Sequence, residues 1–215
     1  MKQEDTRQMI LTQALRLFSE NGYDAVSVGE IAEAVGIKAP SLYNHFRSKQ
    51  AIFDAVIEDT RRRYEDFTGQ LSVHLSDIER DVREFTGITE DALADKVRQI
   101  FLFTLNDENV RRLRKMLTIE QFRSRELSEL YTRRFVDSLT EYHAGLFRRL
   151  IETGELRGED PGTLALMYTA PILTLTGVCD RQPELLGDCL SRLDAHVRLF
   201  YRTFRKRGIC HEADF

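Results

Sequence analysis

Hydrophobic positions along this chain recur three and four residues apart almost from end to end, the period of amphipathic helices. Over residues 5–21 they are Ile10, Leu11, Ala14, Leu17 and Phe18. Gly22 is placed to end that helix and Tyr23 to fold back over its last turn. The next stretch, SVGEIAEAVGIKAPSLYNHFRSK from Ser27 to Lys49, reads as two short helices around a tight turn. Ser27 and Glu30 have the spacing of a capping box. Ile31, Ala32 and Val35 give the first of the two an apolar side, and Ala32 is small enough for a second helix to cross closely. Gly36 supplies the positive φ of a helix end, and Ile37 plugs the turn. Ala39-Pro40-Ser41 open the second helix, expected to reach Phe46, with Leu42 and Phe46 buried.

Further along, Ser48 caps a helix from Lys49 to about Phe67, a rod of roughly 30 Å at 1.5 Å per residue. Its run Arg61-Arg62-Arg63 reads as a solvated face. Gly69–Gly87 is the least readable part, with a short helix offered over 76–85. Helices then follow over about 89–105, 108–123 and 126–153, opened by Thr89 and by Asn106 or Asp107. Asp160-Pro161 starts another, which runs to about Cys179 with a bend expected near Pro171. The last begins at Pro183 and reaches Lys206, with Arg202, Arg205, Lys206 and Arg207 favouring its C-terminus. Its stripe is Leu186, Leu190, Leu193, Val197, Phe200 and Phe204. The tail after Gly208 is expected to fray. The pattern predicts an all-α fold of about nine helices. A three-helix domain over residues 1–47 precedes a larger helical domain over 48–215, and the rod from Lys49 belongs to both.

Composition supports helices: only 4 prolines and 12 glycines occur in 215 residues. The net charge of −4 argues against a nucleic-acid partner for the chain as a whole. Locally the sign reverses. From Ala34 to Phe53 there is no Asp or Glu, while Lys38, Arg47 and Lys49 are present, as a segment approaching phosphates requires. The small residue, turn glycine and later apolar plug have helix-turn-helix spacing. An ordinary helical hairpin has the same spacing, so both readings stand on these features alone.

No charged-then-apolar leader opens the sequence, and no apolar run approaches the roughly 20 residues of a membrane span, so a cytoplasmic protein without a membrane partner is expected. Three cysteines, Cys179, Cys189 and Cys210, lack CxxC spacing and fit a reducing compartment. There is no Gly-rich phosphate loop, HExxH or G-x-S-x-G. His74, His143 and His196 are scattered. No catalytic residue, cofactor or metal site is expected, and the chain does not read as an enzyme.

The N-terminal residues resemble tetracycline-repressor-type (TetR family) transcription regulators. The likeness rests on Ala14-Leu15-Arg16-Leu17-Phe18, Gly22-Tyr23, Ser27, Ile31-Ala32, Gly36-Ile37, Ser41-Leu42-Tyr43, His45-Phe46 and Ser48-Lys49, and covers about residues 5–60. Beyond that it is architectural, including the Gly-Glu-Leu-Arg turn before Asp160-Pro161. Lys38 departs from the pattern, since family members often place a capping Ser or Thr there. The resemblance implies a repressor that binds double-stranded DNA at a palindromic operator as a homodimer. Its DNA-binding residues would be Ser27, Lys38, Ala39, Pro40, Ser41, Tyr43, Asn44, His45 and Lys49. A small apolar or amphipathic effector would bind in the C-terminal domain and release the DNA. Candidates for that pocket are Tyr64, Phe103, Phe122, Phe135, Tyr142 and Tyr168. The dimer interface would use the stripe from Leu186 to Phe204. The alternatives are a helical regulator answering to a protein partner or to cysteine oxidation, and a helical adaptor without DNA binding.

Overall fold

Several helices begin where the sequence supplies a cap. A computed structural model of the chain describes residues 3–158 and 160–206; Arg207, Cys210 and the tail after Gly208 lie outside them. The helices are α1 (Gln3–Asn21), α2 (Val28–Val35), α3 (Ala39–Tyr43), α4 (Lys49–Gln70), α5 (Ile78–Phe85), α6 (Glu90–Asn106), α7 (Glu108–Glu120), α8 (Arg125–Tyr131), α9 (Ser138–Glu152), α10 (Pro161–Arg181) and α11 (Leu186–Phe204). A π-helical stretch, Thr132–Asp137, joins α8 to α9 without a break, giving ten helices among the described residues. The fold is all-α, as expected. The count of ten includes α5, in the stretch that was hardest to read.

The expected caps are in place. Ser48 Oγ accepts the Ala51 N–H at 3.1 Å, Asp107 accepts the Val110 N–H at 2.9 Å, and Asp160 accepts the Thr163 N–H at 2.7 Å. Gly22 sits at φ 88° after α1 and Gly36 at φ 78° after α2, both left-handed. The Arg61–Arg63 run is paired along α4, with Arg61 on Glu58 and Glu65 and both Arg62 and Arg63 on Asp59.

The chain divides into two compact units. One takes in the chain up to Phe67 together with Leu102–Val136; the other takes in Thr68–Phe101 and the chain from Asp137 onward. The segment 1–47 lies wholly within the first unit, which is larger than that segment. In its core α1 contributes Ile10, Leu11, Ala14, Leu15 and Phe18, with Leu15 buried where the periodicity had suggested Leu17. Against them lie Ile31, Ala32 and Val35 of α2, Leu42 of α3, Phe46, and Ile52, Phe53 and Val56 of α4. α7 closes this core with Leu113, Met116 and Leu117. The core of the second unit joins Val82, Tyr142, Leu146, Phe147, Leu150, Leu164, Tyr168 and Phe200 from α5, α9, α10 and α11. Within it, Asp81 is fully buried. It accepts the His74 N–H at 2.7 Å and the hydroxyl of Tyr142, and His74 Nδ1 lies 3.1 Å away. A buried carboxylate is tolerated only with such partners.

The expectation that no apolar run approaches a membrane span needs correction. α10 is 21 residues long, with a mean hydropathy of 1.4 in its most apolar window, long and apolar enough to cross a membrane by those criteria alone. Its packing accounts for one side of that composition. Leu164, Ala165, Tyr168, Leu175 and Cys179 are buried against α9 and α11, while Leu166 and Met167 stay more than half exposed.

Candidate nucleic-acid interface

The two short helices are each built to a different standard. α2 carries a complete capping box. Ser27 Oγ accepts the Glu30 N–H at 3.2 Å, and the Ser27 N–H donates to Glu30 Oε2 at 2.7 Å. That second bond, the largest influence on it, holds the Glu30 carboxyl below its ordinary pKa. At the other end the Gly36 N–H reaches Glu33 O at 2.9 Å and the Ile37 N–H reaches Ala32 O at 3.0 Å, a Schellman closure. Ser27→Ala is expected to lower the stability of the first unit by about 1 kcal/mol, read from urea unfolding followed by circular dichroism.

α3 has no such support. Its cap residue is Lys38, with no side-chain capping bond, as the departure from the family pattern implied. It spans five residues rather than continuing to Phe46, although turn bonds carry on, His45 N–H to Leu42 O at 2.9 Å and Phe46 N–H to the same oxygen at 3.1 Å. Leu42 and Phe46 anchor it, and the Arg7 guanidinium stands over the Phe46 ring at 5.0 Å. Burying those two turns Lys38, Pro40, Ser41, Tyr43 and Asn44 to solvent, and Tyr43 is 53% exposed. Ala39 and His45 are half-buried at its rim. Arg47, in the same acid-free segment of the sequence, is exposed too.

Two of the nine candidate residues are engaged within the protein. Both donors of Ser27 go to Glu30. Lys49 is half-buried, and its ammonium donates to Tyr23 O at 3.0 Å and Asp24 O at 3.3 Å while lying 4.5 Å from the Tyr23 ring centroid. Tyr23 in turn donates from its hydroxyl to Gln50 Oε1 at 2.8 Å and packs on Phe18 and Phe53. Nothing local in the sequence indicates this contact, which joins residues 26 apart.

The six pocket candidates are divided between the two units. Tyr64 and Phe103 are neighbours in the first unit, with ring centroids 6.2 Å apart, and Phe103 stacks on Phe67 at 4.1 Å. Phe135 packs with Tyr131 beside the core of that unit. Phe122 is 87% exposed, a correction: it falls in the turn after α7, off the helical stripe that would have turned it inward. Tyr142 and Tyr168 are core residues of the second unit.

The expected dimer stripe also needs correction. Leu193, Val197 and Phe200 are buried in their own unit, Phe204 packs on Phe200, and Leu186 and Leu190 are half-buried. The regular apolar stripe of α11 is its inward side. Its outward side carries Leu199, which is 66% exposed, and Leu185 is exposed just before the helix begins. An open groove of about 380 Å³ lies there, lined by Ala170, Pro171, Thr174 and Leu175 of α10 and Arg192 and His196 of α11.

Residues 10–56 match the model of "Bacterial regulatory proteins, tetR family". Over 55 residues the chain is 48% identical to the transcriptional regulator AcrR of Shigella flexneri, 26% of each chain. The matched stretch therefore spans about a quarter of that relative's length. Similar solved structures cover nearly the whole chain. The secondary repressor NalD of the MexAB-OprM multidrug efflux pump in Pseudomonas aeruginosa is 27% identical, with TM-score 0.65 over 95% of this chain and 99% of that one. SmeT, repressor of the Stenotrophomonas maltophilia efflux pump SmeDEF, is 23% identical, with TM-score 0.64 over 94% and 91%, a likeness of fold. With the capped α2, the Gly36 turn and the outward face of α3, these matches identify residues 10–56 as a segment of the TetR family of regulatory proteins, within a chain that has the fold of that family's solved members.

Proposed function

We propose that this protein is a transcriptional repressor that binds a palindromic operator as a homodimer and leaves it when a small apolar or amphipathic molecule binds. Residues 1–47 serve as the reading head and residues 48–215 as the effector and dimerisation domain. The observation that carries the DNA reading is the outward face of α3, where Lys38, Pro40, Ser41, Tyr43 and Asn44 stand together in a segment without a single carboxylate. In this reading α3 enters the major groove. Ala39 and Pro40 offer apolar contacts, Ser41 and Asn44 bond base edges or phosphates, and Tyr43, His45 and Lys38 reach the backbone. The backbone N–H groups that follow Ser27 at the start of α2 would hold a further phosphate, while the Ser27 side chain keeps the cap. Binding of duplexes from the region upstream of the protein's own gene, measured by fluorescence anisotropy at several salt concentrations, tests it. Salt-dependent binding is expected, with Tyr43→Ala weaker by about 1–3 kcal/mol. A folded dimer that binds none of these duplexes at low salt would contradict the reading.

The dimer is proposed to form through the outward sides of α10 and α11. Leu166, Met167, Ala170 and Thr174 follow one another on one side of α10, and Leu199 lies three and seven residues after His196 and Arg192 on α11. Such an open apolar surface on two adjacent helices is what a second copy would cover. Met167→Glu with Leu199→Glu is expected to give a folded monomer by light scattering. Charged substitutions at Leu193 or Val197 should instead unfold the chain, because both are inside it. For the effector, the half-open aromatic stack of Tyr64, Phe67 and Phe103 is the favoured part of the wall. The reading in which cysteine oxidation is the signal is less favoured, since Cys179 and Cys189 are both buried.

A further inference from the structure

We infer that the second unit binds an uncharged aromatic molecule through a hydroxyl group, held between His143 Nε2 and the Tyr168 hydroxyl. The inference rests on the effector reading and deepens it, naming the chemical class of the molecule and its polar partners. Both residues belong to the second unit, His143 on α9 and Tyr168 on α10, with ring centroids 5.1 Å apart. Tyr168 is only 6% exposed, yet among the described residues its hydroxyl has no hydrogen-bond partner. Its backbone oxygen accepts from His196 Nε2 at 2.8 Å, and its ring packs on Phe147 and Phe200. Buried hydroxyls are ordinarily paired, so an unpaired one marks a place for a partner of another kind.

His143 supplies a second such atom. Its Nδ1 donates to Leu139 O at 2.8 Å, which leaves Nε2 as a bare acceptor, also without a partner among the described residues. Neither atom is sealed in, since among the described residues no fully enclosed side-chain nitrogen or oxygen lacks a partner. Both therefore reach space that another molecule's atoms can enter. His143 is half-buried against Tyr142, Phe147 and Tyr168, so rings wall the approach to Nε2. Aromatic walls with a few convergent polar atoms are the usual make-up of a small-molecule site.

The chemistry of the pair selects the ligand. Burial lowers the His143 pKa to about 4 and pushes the Tyr168 hydroxyl up, so at neutral pH the ring is uncharged and the hydroxyl keeps its proton. A ligand hydroxyl suits both, donating to Nε2 and accepting from Tyr168. The Asp81 carboxylate, close enough to act on His143, is fully buried and already accepts the His74 N–H and the Tyr142 hydroxyl. It would repel an anion. A cation would leave water for a place whose one counter-charge is already shared. The rings of Tyr142, Phe147 and Tyr168 favour a flat aromatic body.

Five naphthalenes test the pair: naphthol, methoxynaphthalene and naphthalene itself, with naphthoate and naphthylmethylammonium as charged relatives. Naphthol offers a donor and an acceptor, methoxynaphthalene an acceptor alone, naphthalene neither. Each is titrated into the full-length protein at neutral pH, without DNA, by isothermal titration calorimetry. Affinity is expected to fall from naphthol to methoxynaphthalene to naphthalene by roughly three- to tenfold at each step, with the charged probes bound more weakly than naphthol by roughly tenfold or more. His143→Phe should bring naphthol down to the level of methoxynaphthalene. Tyr168→Phe should bring methoxynaphthalene down to the level of naphthalene. A disturbance of packing alone would weaken all three alike. Tyr168→Phe loses only an unpaired hydroxyl and keeps its ring, so with the wild type it decides the matter even where His143→Phe does not fold. Equal affinity for the three neutral probes, preferences unchanged in the variants, tighter binding of a charged probe, or no binding of any would overturn the inference. Failure of the chain to bind any duplex would instead overturn the repressor reading, because these titrations need no DNA. A protein that binds naphthol as expected and still holds its duplex at saturating naphthol would overturn the effector reading alone.

Discussion

Leu42→Ala is expected to lower the unfolding free energy of the first unit by about 3 kcal/mol and to weaken DNA binding by more than that loss accounts for. α3 is five residues long and has no side-chain cap, so it cannot persist by its own helical propensity. It is held by Leu42, which is fully buried, and by Phe46 just beyond its end. Removing three carbons from Leu42 opens a cavity beneath the helix and frees its outward residues from their common frame. The stability loss is read from urea unfolding followed by circular dichroism, and the binding loss from anisotropy at a temperature where the variant is still folded. Leu42→Met, which keeps the volume, should cost under about 1.5 kcal/mol and retain binding. Wild-type affinity in a folded Leu42→Ala protein would show that α3 does not need this anchor.

The second unit is expected to lose stability on acidification between about pH 6.5 and 4. His143 is half-buried, packed among the rings of Tyr142, Phe147 and Tyr168. Its Nδ1 lies 2.8 Å from Leu139 O, and since a carbonyl can only accept, that nitrogen carries the proton of the neutral ring. Burial lowers its pKa to about 4, the largest of the influences on it; the Leu139 bond and the Asp81 carboxylate act the other way. In this window the unfolded chain binds the proton and the folded chain does not, so stability rises with pH. A separation of roughly 2.5 pH units corresponds to about 3 kcal/mol, present above pH 6.5 and lost progressively toward pH 4. Carboxylates also titrate below pH 5, so the quantity to compare is the difference between wild type and His143→Phe in urea unfolding across the range. The variant should be the less pH-sensitive of the two. Equal curves would mean that the ring is not kept neutral by its surroundings.

The N-terminal helices could be read from sequence because their determinants are local. Ser27 and Glu30, Gly22 and Gly36, and Ser48 act within four residues of where they stand, and each takes the conformation that its chemistry prescribes. What could not be read were contacts between distant positions. The packing of Leu113, Met116 and Leu117 on α1 makes α7 part of the first unit, and no periodicity announces it. Glu120 illustrates the same limit. It is buried, and a Cβ on Gly22 would stand 2.9 Å from its Oε1, so a side chain there would displace that carboxylate in addition to straining the positive φ. The dimer stripe was misplaced for a different reason. Periodicity identifies the apolar side of a helix without saying whether the chain itself or a second copy covers it. Of the candidate DNA residues, those on α3 were legible from the buried pair Leu42 and Phe46, which dictates what faces outward. The bonds of Lys49 to the turn after α1 depended on where the chain brings Tyr23 and were beyond any local pattern.

The apolarity of α10 has a consequence for how the chain is made. Synthesis completes α10 at Arg181, before any of α11 exists. Until α11 follows, Tyr168 and Leu175 lack part of their cover, while Leu166 and Met167 are open in any case. For that interval the nascent chain displays its most hydrophobic segment with more of it wet than in the finished fold, the condition under which partly made proteins aggregate or engage chaperones. The nineteen residues of α11 are therefore also what ends the chain's most hazardous moment. Premature termination anywhere between Gln182 and Val197 should yield insoluble rather than merely inactive protein.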